Sequence, residues 1–281
     1  MALLFHGDCL EEMKQLDDNS VDFIFCDLPY GQTSCKWDIK IDMVTFWEQI
    51  MRVKKLHTPI FFTTTTKFGV DLIRSAPKKC PFRYDLVWVK SAPAGFLSAK
   101  KMPMRKHEMI YVFYEKLPLY DLSSHKHKFL NSKNGMKGQD NLCYGSEVKQ
   151  VQNKKYDPPL PVSVVNEKYT YKQDKEKDLY GTDIRKEVRK GKDVGKSPIY
   201  DPPLPNSMLE IKSTRGKHST EKPVALMEWL LKYYSKEGDV VLDPTMGSGS
   251  TGIACKNMNR NFIGIEMNDE YYELCCNRLY E

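Results

Sequence analysis

The feature that most constrains the fold is a strand, a glycine loop and a helix that follow one another without a break near the C-terminal end. Val240 to Leu242 are apolar and mostly β-branched, Gly247 to Gly252 satisfy G-x-G-x-x-G, and the apolar spacing predicts a helix from Gly247 to Asn257. Phe262 to Glu266 then read as a strand and Asp269 to Leu279 as a closing helix. The N-terminal end repeats the alternation, with strands at Ala2 to His6, Val21 to Cys26 and Pro59 to Thr65 separated by helices at Leu10 to Leu16 and Met43 to Leu56. Phe82 to Lys90 and His107 to Glu115 are two further strands, expected to pair antiparallel. Thr220 to Tyr234 predict a helix with Pro223 in its first turn, where a missing N–H does no harm. Alternation at both ends around an irregular middle predicts one doubly wound α/β domain interrupted by an insert.

The insert is set apart by charge. Residues 116–222 hold 22 Lys/Arg and 14 Asp/Glu, net +8, whereas the other 174 residues hold 21 and 23, net −2. A basic segment in a near-neutral chain suggests a polyanionic partner such as nucleic acid; a lysine-rich solvated loop is the plainer reading. Tyrosines interleave with the lysines. An eight-residue near-repeat, Tyr156 to Ser163 and Tyr200 to Ser207, places paired prolines in what read as stiff spacers, and the charged stretch Tyr169 to Lys196 is expected to order only on a partner.

Composition removes other classes. With 281 residues the chain can bury a core without staples, 41% apolar and 28% charged residues are ordinary globular values, and no apolar run is long enough to span a membrane. The eight cysteines include no C-x-x-C and read as reduced thiols packed like small apolar residues. His125-Lys126-His127 lacks a second ligand cluster, so no metal is expected. The first residues carry no basic and apolar leader pattern, and the expected compartment is the cytoplasm.

Two segments carry chemistry. Asp243 closes the strand before the glycine loop, and Glu266 ends the following strand, 17 residues after Gly249, where an acid suits ribose hydroxyls. A dinucleotide would bring its pyrophosphate against Asp243, whereas S-adenosylmethionine carries an ammonium and a sulfonium that a carboxylate favours. The charges therefore prefer S-adenosylmethionine over NAD. The second segment, Asp27-Leu28-Pro29-Tyr30, follows an apolar strand directly, at the carboxyl end where open α/β sheets bind ligands. It offers an acceptor, a stiff turn and an aromatic surface for a planar base.

Asp-Leu-Pro-Tyr near one end and Asp-Pro-Thr-Met-Gly-Ser-Gly-Ser-Thr-Gly near the other resemble the amino-group DNA methyltransferases, whose target motif reads (D/N/S)-P-P-(Y/F/W). The order of target motif, basic insert and cofactor loop resembles the permuted β class, and His218-Ser219-Thr220-Glu221-Lys222-Pro223 matches the segment that precedes the cofactor loop in that class. The likeness covers about residues 3–115 and 206–279. It implies a circularly permuted, Rossmann-like methyltransferase sheet divided into a catalytic half (1–115), a basic target-recognition insert (116–205) and an S-adenosylmethionine-binding half (206–281).

Further implications concern single residues. Asp27 and the Leu28 carbonyl would accept the two hydrogens of the target amine, with Pro29 stiffening the turn and Tyr30 stacking on a flipped base, a contact worth roughly 1 to 3 kcal/mol. Asp8, Lys222, Asp243, Gly247, Gly249, Gly252 and Glu266 would surround the cofactor, Asp8 near its adenine and Lys222 near its carboxylate. Duplex DNA is the implied partner; a homodimer and a companion restriction endonuclease are others. Asp27 favours adenine N6, since relatives acting on cytosine N4 mostly carry serine there. Leu28 stands where the family usually has proline. Trp88-Val89-Lys90 and His107-Glu108 resemble pairs flanking a DNA-facing loop, and Lys100, Lys101, Arg105 and Lys106 are candidate phosphate contacts. Cytosine N4, an inactive DNA-binding methyltransferase fold and an NAD-dependent oxidoreductase stay open at this level.

Overall fold

The computed structural model describes residues 1–31, 40–94, 101, 105–121, 123, 126–128, 155–157, 209–211 and 221–280. Most of the basic insert, including the charged stretch Tyr169 to Lys196 and the second proline-rich repeat, lies outside them, as do Lys100, His218, Cys35 and Cys143.

Among the described residues there are ten strands: β1 (Ala2–His6), β2 (Phe23–Cys26), β3 (Ile60–Thr64), β4 (Phe82–Ala94), β5 (Arg105–Phe113), β6 (Lys126–Lys128), β7 (Lys155–Asp157), β8 (Leu209–Ile211), β9 (Val240–Asp243) and β10 (Asn261–Glu266). Eight form one sheet in the order β1-β10-β9-β2-β3-β5-β4-β8. The run from β1 to β3 is parallel, and β5 is antiparallel to both β3 and β4, as the sequence predicts for the second pair. N- and C-terminal strands thus interleave in one sheet, with β9 beside β2.

Six α-helices are described with it: α1 (Cys9–Glu12), α2 (Met43–Val53), α3 (Thr66–Ser75), α4 (Val224–Tyr234), α5 (Ser250–Asn257) and α6 (Asp269–Tyr280). Strand alternation divides the core in two. Phe23, Phe25, Phe61 and Val241 pack with Leu226, Leu230, Ala254, Cys275 and Leu279 from α4, α5 and α6. Ile24, Cys26, Ile60, Phe62 and Leu242 face Met13, Phe46, Ile50, Phe68 and Leu72 on the N-terminal side. β2 and β3 are buried along their whole length because both faces are covered, which is why they read as unbroken apolar runs.

Several sequence expectations change. The helix expected from Thr220 starts at Val224, leaving 221–223 extended, and the helix expected from Gly247 starts at Ser250. α3 was hidden by the β-favouring run Thr63 to Thr66 and by Gly69; the Thr65 side chain caps it by accepting from the Phe68 N–H at 3.2 Å. Gly69 packs so closely on the Tyr111 ring that a Cβ would collide with it. Tyr156 and Asp157, read as the start of a stiff spacer, form β7, which pairs antiparallel with β6.

Among the described residues six cysteines are free, five of them buried. Burial pushes the thiols of Cys9 and Cys275 up to about 12 and that of Cys80 up to about 11, so all three stay protonated at neutral pH.

Candidate active site

Parallel pairing brings the carboxyl ends of five strands to one edge. β1 leads to Asp8, β2 to Asp27, β9 ends in Asp243, β10 ends in Glu266, and β3 delivers Thr63. A cavity of about 590 Å³ lies among them, lined by Asp8, Asp27, Pro29, Lys222, Asp243, Gly247 and Glu266 among others. These residues come from opposite ends of the chain, and strand order gathers them.

The glycine loop is held from below. Asp243, 2% exposed, accepts from the Thr251 hydroxyl at 2.6 Å and the Thr245 N–H at 3.2 Å. Burial raises its carboxyl to about 7 despite those bonds. Glu266 accepts from the Gly247 N–H at 2.9 Å and the Asn268 N–H at 2.8 Å, so its carboxylate is fixed at the rim. Gly249 has φ +82°, a left-handed conformation, and a Cβ there would meet Cys275 Sγ at 2.5 Å. Gly252 lies against the Phe262 ring, 2.8 Å from a hypothetical Cβ, and sets the approach of α5 to the sheet. Asp8 caps α1 by accepting from the Leu10 N–H at 2.7 Å.

The target-motif side is built differently. Leu28 is 2% exposed and its side chain belongs to the N-terminal core, so leucine at this position contributes packing. Tyr30 donates its hydroxyl to Asp27 Oδ1 at 3.2 Å and its ring packs 5.2 Å from that of Phe68. Burial, reinforced by Asp27, pushes the phenol well above its usual range, keeping it a donor. The Thr63 hydroxyl also donates to Asp27 Oδ1.

Lys222, expected near the cofactor carboxylate, is placed between the cavity and the target motif. It lines the cavity, but its ammonium donates to Asp27 Oδ2 at 2.5 Å and lies 4.0 Å from Glu108. Burial favours the neutral amine; the Asp27 and Glu108 carboxylates outweigh it and hold the ammonium above its usual 10.5. Glu221, next to it, accepts from Arg278 at 2.7 Å and from the Ser250 hydroxyl at 2.9 Å, and Arg278 also donates to the Ser248 carbonyl at 2.7 Å. The extended 221–223 segment is thus pinned to the glycine loop on one side and to the target motif on the other. Lys90 pairs with Glu108 at 3.1 Å and lies over the Trp88 ring, which brings together the two residue pairs that flank the β4–β5 connection.

Sequence reading did not single out Thr63 or Arg278, and quoted Glu221 and Thr251 only as parts of motifs. Thr63 had a signal in its place within an apolar strand, where a buried hydroxyl requires a partner. Arg278 had none, because its role follows from the return of α6 to the loop. Among the described residues no group of three His, Cys, Asp or Glu side chains is placed to hold a metal, and no helix is long and apolar enough to cross a membrane.

Comparison with known proteins bears on the family and the fold. The M2.DpnII type II methyltransferase of Streptococcus pneumoniae is 37% identical over 105 residues, covering 37% of each chain. M.HpaI of Haemophilus parainfluenzae is 49% identical over 65 residues, 23% of this chain and 21% of that protein, so the chain matches well under half the length of these relatives. The DNA adenine methyltransferase YhdJ of Escherichia coli is 25% identical over 284 aligned positions, 98% of this chain and 82% of YhdJ. Among solved structures, the M1.HpyAVI–SAM complex superposes with TM-score 0.56 at 19% identity over all of both chains, and the cytosine-N4-specific PvuII methyltransferase with 0.58 at 12% over all of this chain and 86% of that one. Both share the Rossmann-like fold. The DNA methylase family model, of N6 and N4 type, matches residues 21–277, and the chain belongs to that family.

Proposed function

We propose that this protein transfers a methyl group from S-adenosylmethionine to the exocyclic N6 amine of adenine flipped out of duplex DNA. The observation that carries this reading is the meeting of Asp27 with Asp243 and Glu266 around one cavity. Six carboxylates line it (Asp8, Asp27, Asp42, Glu221, Asp243 and Glu266) against two lysines, and both lysines already hold acids, Lys40 with Asp71 and Lys222 with Asp27. Such a wall fits a cationic cofactor. It fits a pyrophosphate poorly, because the Gly247 N–H, which would face one, is bonded to Glu266.

The cofactor, when bound, supplies a methyl group on a positively charged sulfonium. Asp243 and the glycine loop would hold its amino-acid portion, Glu266 its ribose hydroxyls and Asp8 the far rim. Asp27 and the Leu28 carbonyl would accept the two amine hydrogens, which draws the nitrogen lone pair out of ring conjugation and aims it into the cavity. The Tyr30 ring would stack on the base. Aspartate at position 27, together with an alignment over 98% of this chain to an enzyme named for adenine, supports N6 over N4.

The +8 segment, with the basic β4–β5 connection, would hold the phosphates, and we assign residues 116–205 as the target-recognition insert of a permuted chain. A homodimer and a companion restriction endonuclease belong to the same proposal. Incubation with labelled cofactor and duplex DNA, followed by digestion to nucleosides, tests it. Label is expected in N6-methyladenine; label confined to 4-methylcytosine overturns the choice of base, and none in any nucleoside overturns the activity.

A further inference from the structure

Asp27 is gripped from three directions. Oδ1 accepts from the Thr63 hydroxyl on β3 and from the Tyr30 hydroxyl, while Oδ2 accepts from Lys222, which reaches across from the segment before α4. A carboxylate offers about four acceptor positions. Among the described residues three are used by these contacts, and the fourth, on Oδ2 beside the ammonium, takes none. Lys222 is itself held: its side chain is 10% exposed, Glu108 flanks it, Lys90 neutralises Glu108 from the far side, and Glu221 is clamped by Arg278 and Ser250. Acids and bases therefore alternate from Lys90 through Glu108 and Lys222 to Asp27.

We propose that Lys222 is a positioning residue for Asp27, not a ligand of the cofactor carboxylate, and that it orients the carboxylate so that the free acceptor position on Oδ2 receives the target amine. The assignment rests on the methyltransferase reading above and adds to it the group that aims the amine acceptor. Its physical basis is directional. An isolated carboxylate on a strand end rotates about its side-chain bonds; a short ammonium contact on one oxygen and two hydroxyls on the other fix both oxygens at once. Methyl transfer to an amine needs the lone pair in line, and a misplacement of about 1 Å at such a centre costs about 100-fold in rate.

The test uses the full chain with Lys222→Met and Lys222→Arg. Steady-state methylation of duplex DNA gives kcat and KM, and equilibrium binding is measured for S-adenosylhomocysteine and for 5′-methylthioadenosine, which lacks the amino-acid portion. We expect K222M to lower kcat by about 100-fold, to leave the KM for cofactor nearly unchanged, and to keep the affinity ratio of the two nucleosides at its wild-type value. K222R, which keeps the charge, should recover part of kcat. A loss of S-adenosylhomocysteine affinity that collapses this ratio, with kcat preserved, would overturn the assignment and make Lys222 a cofactor ligand. A wild-type protein that methylates no duplex overturns the underlying reading instead, and the assignment with it. Should K222M fail to fold, Thr63→Val and Thr63→Ser ask the same question from Oδ1: a kcat loss in the first that the second rescues, with the binding ratio unmoved, supports the clamp, and an unchanged kcat in both overturns it.

Discussion

Asp27 and Asp243 leave the ends of neighbouring parallel strands and face one cavity, yet their surroundings are opposite. Asp27 is 27% exposed at its side chain and holds an ammonium at 2.5 Å. Asp243 is 2% exposed and is met by a hydroxyl and an amide, with no ion pair among the described residues. The first charge is balanced by the protein itself. The second is left without a counter-charge, and burial moves its carboxyl up to about 7. A buried acid without a cation is unfavourable in isolation, and its retention at the foot of a cavity makes sense if the cation arrives with a ligand. On the proposed function, the contrast separates an acceptor aimed by internal contacts from a charge that the cofactor would complete.

Substitutions break the comparison in order of effect. Asp27→Ala should lower kcat at least about 100-fold, in the range found when a group acting mainly on the transition state is removed, while cofactor binding stays near wild type; substantial turnover in this variant ends its assigned role. Asp243→Asn removes the uncompensated charge and should weaken cofactor affinity by about tenfold, the equivalent of about 1.4 kcal/mol, with a much smaller effect on kcat at saturation. Equal losses in both parameters would mean that the two acids act as one unit. Thr251→Val takes away the hydroxyl donated to Asp243 and should cost about 1 kcal/mol of stability, read by denaturant unfolding.

The same contrast marks what the sequence made legible. β2 and β3 were readable because burial on both faces leaves unbroken apolar runs such as Phe23 to Cys26, and the strand-end acid Asp27 follows such a run directly. Asp27, Asp243 and Glu266 could be placed from local pattern. Lys222 could not. Its partner is 195 residues away, and the extended segment that carries it to Asp27 is held by Glu221 meeting Arg278 from the last helix. α3 was missed for a related reason: threonines favour strands on their own, while Thr65 acts here as a cap and Gly69 exists to admit Tyr111. Local chemistry predicts elements and their ends; contacts across the sheet choose which ends act together.

The finest distinction between the two acids is in their protons. The folded pKa of Asp243, about 7, is above its ordinary 3.8, so between these values the folded chain keeps a proton that the unfolded chain has released. Its contribution to stability is fully present below about 3.8 and is lost as pH rises through about 7; Asp243→Asn should lack this loss, which chemical unfolding between about pH 5 and pH 8 would register. Binding of a cation beside Asp243 favours the carboxylate, so S-adenosylmethionine should expel up to about half a proton at about pH 7, and less as pH rises. Calorimetry in two buffers of different ionisation enthalpy measures that fraction. Release that persists in Asp243→Asn places the proton elsewhere and removes the argument for Asp243 as the cofactor's counter-charge. Release that is lost in the variant and persists when S-adenosylhomocysteine replaces S-adenosylmethionine assigns the effect to the ammonium, because that ligand keeps the ammonium and lacks the sulfonium.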